Sequence, residues 1–193
     1  MTRRILVLLG HPHSESLCGG LASAYASGAS AAGSEVRRIR LQELSFDPVT
    51  PPYGANGPLE PDLQYLQDSI GWSEHLALVY PCWWGAAPGP FKSALERVLL
   101  PGFAFKYHSK GHGWDRLLKG RTGELIVTMD TPPLIYRWMF GAAGDRVMTK
   151  RTLDFCGIKP VRVTHFGPVR SSTDRARAAW LSKATSLGQR AGG

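Results

Sequence analysis

The chain has 193 residues, 43% hydrophobic and 20% charged, which is enough apolar material for a sizeable core and excludes a disordered chain. The formal net charge is +8, but the basic residues are dispersed and none forms a run interleaved with aromatics. No nucleic-acid partner is therefore expected, and the excess charge favours a small anionic nucleotide or cofactor.

A first strand is predicted over residues 4–9. Its apolar run, Ile5 to Leu9, is too short for a secretion signal, and His11-Pro12-His13 stands where a small-residue cleavage site would be, so the expected compartment is the cytoplasm. A helix follows over residues 16–32, with Leu17, Leu21, Ala24, Tyr25 and Gly28 at helical spacing, Ser14 or Ser16 as cap and Gly33 as its end. The second strand spans residues 35–41. Residues 42–61 carry five prolines and two glycines, too long a stretch for a plain connector. A second helix (62–72) leads into the third strand (76–80), which Pro81 is expected to stop because it lacks an N–H for the ladder. A third helix starts at Pro88 or Pro90 and ends before Pro101. A glycine-rich, aromatic loop (102–120), a fourth strand (124–129), a helical region (134–155) interrupted near residues 141–144, a fifth strand (161–166) and a last helix (173–187) complete the chain.

Alternating strands and helices argue for an α/β fold with a parallel sheet covered on both faces. Strands one, three and four are continuously apolar, as doubly buried strands are, whereas strands two and five carry Arg37, Arg38, Arg40, Arg162 and His165, as edges do. This matches a doubly wound five-stranded parallel sheet of order 2-1-3-4-5, the flavodoxin-like arrangement, as one domain over residues 1–193. Its ligand crevice is expected where the order reverses, between strands one and three.

The loops at that crevice carry the candidate chemistry. After strand one, Gly10-His11-Pro12-His13-Ser14-Glu15-Ser16-Leu17-Cys18 runs straight into a helix, whose first N–H groups make an anion site; neither a P-loop nor a dinucleotide fingerprint is present. After strand three, Tyr80-Pro81-Cys82-Trp83-Trp84-Gly85 offers aromatics and backbone amides suited to a flat, hydrogen-bonding ring such as a flavin. After strand four come Thr128, Met129 and Asp130, with Tyr136 shortly beyond. Plain alternatives exist for each: serine capping, tryptophan packing, an aspartate turn and a core tyrosine. No hydrolase motif occurs, and His108 and His112 lack a third ligand, so no metal is expected.

Together, His11-Pro12 with Ser16-Leu17-Cys18, Tyr80-Pro81-Cys82-Trp83-Trp84, Pro88…Phe91-Lys92…Glu96-Arg97-Val98 and Gly102-Phe103-Ala104-Phe105 resemble the NAD(P)H:quinone oxidoreductase (diaphorase-like) family of flavodoxin-fold flavoproteins. The resemblance implies a flavin, FAD or FMN, held on its phosphate and ribityl side by His11, Ser16, Leu17 and Cys18. Pro81, Cys82, Trp83 and Trp84 would bed the ring, and Thr128, Met129 and Asp130 would line its polar edge. It further implies Tyr136, Trp84 and Tyr107 as catalytic side chains, NAD(P)H as co-substrate, a quinone-like acceptor in a ping-pong cycle, and a homodimer sharing its cleft near Phe105 and Tyr107. Cys18 stands where the family commonly has asparagine, Asp130-Thr131-Pro132-Pro133 replaces a glycine pair, and no histidine follows Tyr136 within residues 138–145, leaving the usual two-residue relay incomplete. The alternatives within this resemblance are an azoreductase or flavin reductase, and a flavin-binding regulatory subunit of a potassium-efflux system with a membrane transporter as partner.

Overall fold

The computed structural model describes residues 2–13, 15–50 and 57–193; Ser14, one of the two candidate caps, and part of the proline-rich loop lie outside them. In chain order the elements are β1 (Arg4–Leu9), α1 (Leu17–Ala31), β2 (Glu35–Arg40), α2 (Pro61–Trp72), β3 (His75–Pro81), α3 (Gly89–Val98), β4 (Phe105–Tyr107), β5 (Trp114–Arg116) and β6 (Thr122–Thr128). Then follow α4 (Pro133–Trp138), α5 (Ala143–Arg146), a π-helical turn (Val147–Leu153), α6 (Asp154–Cys156), β7 (Val161–Phe166) and α7 (Asp174–Gly192).

The main sheet has the order β2-β1-β3-β6-β7, parallel throughout. This is the expected order, with β4 and β5 inserted as a separate antiparallel hairpin inside the stretch read as loop. Strand periodicity divides the core. Leu6, Leu8, Leu76, Leu78, Tyr80, Leu125 and Val127 face α2, α3 and the 147–156 region. Ile5, Val7, Leu9, Ala77, Val79, Ile126 and Phe166 face α1 and α7. On that second face a Cβ on Gly28 would overlap the Thr185 carbonyl oxygen and one on Gly188 the Tyr25 carbonyl oxygen, so α1 and α7 meet backbone to backbone.

Pro81 does not stop β3. It pairs with Thr128 of β6, and the next amide, Cys82 N–H, donates to the Thr128 carbonyl at 2.7 Å. The proline's missing N–H faces the β1 side, where pairing has already ended at Leu9 opposite Val79, so no ladder bond is lost. The interruption in the helical region falls where expected, with Gly141 and Ala142 both at positive φ (61° and 46°). The last helix runs beyond the expected residue 187 to Gly192. Among the described residues no helix is long and apolar enough to cross a membrane.

Candidate active site

Three chain segments leave the carboxyl edge of the sheet beside one another. They enclose a crevice of about 200 Å³ lined by His11, Ser16, Leu17, Cys18, Pro81, Cys82, Trp83, Thr128, Met129, Asp130 and Val169. The first segment presents the start of α1. Ser16 is its N-cap in extended conformation (φ −146°, ψ 161°), and its hydroxyl accepts from Gly19 N–H at 3.1 Å. The hydroxyl proton goes to the His13 carbonyl at 3.0 Å, so Ser16 shapes the loop and has no donor left for a ligand. The donors are instead the backbone N–H groups of Leu17 and Cys18, which at a helix start have no intrahelical acceptor. His11 adds a third: its Nδ1 accepts His13 N–H at 2.9 Å, and burial holds its pKa below the usual histidine value. The neutral ring therefore carries its proton on Nε2. The lining holds no lysine or arginine, so a bound anion would have to be held by oriented dipoles.

The second segment forms the wall. Trp83 and Ala86 exchange backbone hydrogen bonds at 2.9 and 3.0 Å, closing a tight turn with Trp84 and Gly85 at positive φ (51° and 79°). Trp83 meets His11 edge-on at 5.6 Å between ring centres. Cys82 is half-buried, and burial pushes its thiol above the usual range. The third segment supplies the floor and far edge. Thr128 Oγ1 lies 3.1 Å from the buried Cys18 Sγ, whose pKa burial raises to about 11, so this sulfur is a packing group and not a nucleophile. Asp130 accepts Arg170 N–H at 2.7 Å and Met129 O accepts Val169 N–H at 3.0 Å, which ties the loop after β7 to the site.

Ten of the eleven residues expected to hold a cofactor thus line one crevice; Trp84 does not. The turn carries Trp84 away from the crevice, fully exposed beside a separate hollow formed with Ala143, Gly144 and Val147. Tyr107 is also remote from it, exposed on the β4–β5 hairpin and packed edge-on against Phe105 at 5.2 Å. Tyr136 is buried one layer behind the crevice wall: its hydroxyl donates to the Gly85 carbonyl at 3.2 Å, lies beside Cys82, and is pushed up to about 12 by burial. Two features were not expected. Val169 was missed, although every loop at the carboxyl edge near a switch point is a candidate by topology. A histidine does lie beside Tyr136, but it comes from β7 and lies outside the crevice lining. His165 meets Tyr136 edge-on at 5.7 Å and pairs with Asp145 at 2.8 Å, so local sequence spacing had no means of revealing it.

A family model described as flavodoxin-like fold matches residues 3–187. An uncharacterised NAD(P)H oxidoreductase of Haemophilus influenzae is 30% identical over 150 residues, 75% of this chain and 73% of its own length. The chain belongs to the flavodoxin-like family. It sits among that family's NAD(P)H oxidoreductases, and it is an oxidoreductase. Solved structures agree in fold. The NAD(P)H:quinone oxidoreductase from Methanothermobacter marburgensis superposes with TM-score 0.81 at 21% identity, covering 99% of this chain and 98% of that one. An FMN-dependent NADH-azoreductase from Bacillus anthracis, solved in complex with FMN, gives 0.75 at 14% identity and covers 100% of both chains.

The donor set of this flavodoxin-like chain fits a flavin. Amides at the start of α1 suit a phosphate, and Trp83 with the Pro81–Cys82 backbone makes a flat wall. Thr128 and Asp130 bring a hydroxyl and a carboxylate to the side where a polar ring edge would lie, while the Met129 N–H is taken by the Phe166 carbonyl.

Proposed function

We propose that this chain is a flavin-dependent oxidoreductase that takes hydride from NAD(P)H and passes it to a quinone-like acceptor in a ping-pong cycle. One observation carries the reading: loops after β1, β3 and β6 bring an anion-binding helix start, an aromatic wall and a polar edge into one open crevice at the point where strand order reverses. In this reading Leu17 N–H, Cys18 N–H and His11 Nε2–H hold the phosphate. Trp83 and Pro81 bound one side of the ring, and the crevice mouth leaves its other side open to two substrates in turn. When bound, the flavin supplies the hydride chemistry; the protein supplies orientation and charge. The Cys82, Trp83 and Met129 N–H groups go to the Thr128, Ala86 and Phe166 carbonyls, so they hold these loops in shape before any ligand arrives.

The apolar side chains Leu134, Trp138, Met139 and Phe140, exposed on and just after α4, support a homodimer that buries this face. Tyr107 and Trp84 would then act, if at all, across the subunit boundary.

The test is titration of the protein with FMN and with FAD, followed by visible absorbance. Steady-state reduction of a benzoquinone, an azo dye and free flavin by NADH and NADPH then identifies the acceptor class. Saturable binding of one flavin, with parallel-line kinetics for the benzoquinone, is expected. No flavin binding would overturn the reading, and preference for the azo dye would move the chain to the azoreductase alternative.

A further inference from the structure

The turn that forms the crevice wall is fixed from behind by groups that the proposed chemistry does not use. Its Gly85 carbonyl accepts the Tyr136 hydroxyl at 3.2 Å. The same carbonyl lies against Gly144 so closely that a Cβ there would overlap it. The next residue, Asp145, is 8% exposed and pairs through Oδ2 with His165 Nε2 at 2.8 Å, so the start of α5 is held against β7. Asp145 is also tied to its own helix, its carbonyl accepting Thr149 Oγ1–H at 2.7 Å. His165 closes the circuit by packing its ring edge-on against Tyr136 at 5.7 Å. Burying a histidine–aspartate pair is costly unless the geometry is held, and here the pair joins the first turn of a continuous helical stretch, residues 143–156, to β7.

We infer that Asp145 and His165 are positioning residues: their pairing seats α5 and Tyr136 against the Gly85 carbonyl. That contact sets where the turn places Trp83, in the crevice wall, and Trp84, exposed beside Val147. The latch couples the crevice wall to the exposed Trp84 through one turn of four residues with two of them at positive φ. Its consequence for a bound ring rests on the flavin reading above; the latch itself does not.

The experiment labels the chain with 5-fluorotryptophan and assigns the resonances of its six tryptophans by single Trp→Phe variants. In ligand-free protein, Asp145→Leu and His165→Leu are expected to shift the Trp83 and Trp84 fluorine resonances while those of Trp72 and Trp180 stay in place. Asp145→Asn, which keeps an acceptor for His165, is expected to leave all six near their original positions. Should the leucine variants fail to fold, Tyr136→Phe, which removes only the hydroxyl on Gly85, is expected to shift the same two resonances. Unmoved Trp83 and Trp84 signals in a folded Asp145→Leu or Tyr136→Phe protein would overturn the latch whether or not flavin binds. FMN titration is the second readout: the leucine variants should bind roughly 5- to 150-fold more weakly, the span usual for coupled sites, and Asp145→Asn about as tightly as the wild type.

Discussion

A single hydroxyl shows how much a residue's partners decide about its role. Ser16 stands where a ligand donor was expected, yet its proton belongs to the His13 carbonyl and its lone pair to Gly19 N–H. Ser16→Ala should therefore cost about 1 kcal/mol of stability, as lost caps do, and weaken flavin binding only through the loop; thermal unfolding and FMN titration measure the two effects separately. The amide of Leu17 is the sharper probe. Proline suits the first position of a helix, and the extended backbone of Ser16 is what a following proline demands. Leu17→Pro removes one N–H from the crevice while leaving α1 intact. FMN affinity should fall by about 1.5–3 kcal/mol, the worth of a hydrogen bond to a charged group, with little change in far-ultraviolet circular dichroism. Unchanged affinity would place the phosphate elsewhere.

At the scale of elements, the contact between α1 and α7 supports the crevice from below. Gly28 and Gly188 let the two backbones approach until a methyl group at either position meets a carbonyl oxygen. Gly188→Ala must push the helices apart, and overpacking of this kind costs about 1–3 kcal/mol; a lowered urea midpoint with an unchanged slope is the expected signature. Gly28 was legible as a helical residue and Gly188 fell one past the expected end of the last helix; neither was legible as an interface, because α1 and α7 are separated by most of the chain. The same limit applies to Pro81. The local rule that proline lacks a ladder donor is correct. Only the register of β1 against β3 shows that the absent donor faces a neighbour that has already ended.

For the whole molecule, the opposite edge of the sheet governs acid stability. Arg3 donates to Thr122 Oγ1 at 2.7 Å, and that hydroxyl lies 2.6 Å from His75 Nδ1; His75 Nε2 lies 2.9 Å from the Tyr25 hydroxyl, which donates to Glu124 at 3.2 Å. Arginine can only donate, so the Thr122 proton goes to Nδ1 and His75 is neutral with its proton on Nε2. Burial, with Arg3 and Arg162 nearby, holds its pKa down to about 4. The unfolded chain takes up that proton near the usual histidine value of 6.5. Stability from His75 is therefore complete above pH 6.5 and lost as pH falls towards 4, amounting to about 3 kcal/mol at most. Glu124, raised by burial, has the opposite slope, so wild type must be compared with His75→Gln. The variant should lack the loss between pH 6.5 and 4 in chemical denaturation. The exposed apolar face makes a prediction at the same scale: Trp138→Asp should convert a dimer to monomers in sedimentation while flavin binding to each subunit persists.

The sequence alone determined the sheet order, because charge inside a strand is tolerated only at an edge and continuous apolar runs survive only between two covered faces. It also determined most of the crevice lining, Val169 and Trp84 excepted, because loops at the carboxyl ends of neighbouring parallel strands must meet. Tertiary structure decided which way the individual side chains turned. Positive φ at the Trp83–Ala86 turn sends Trp84 outward, the hairpin carries Tyr107 away, and β7 delivers His165 to Tyr136 from 29 positions further along the chain. Strand burial is read from each residue's own type and its immediate neighbours. The direction of a side chain leaving a turn, and the identity of a partner from another strand, depend on contacts that no local window contains.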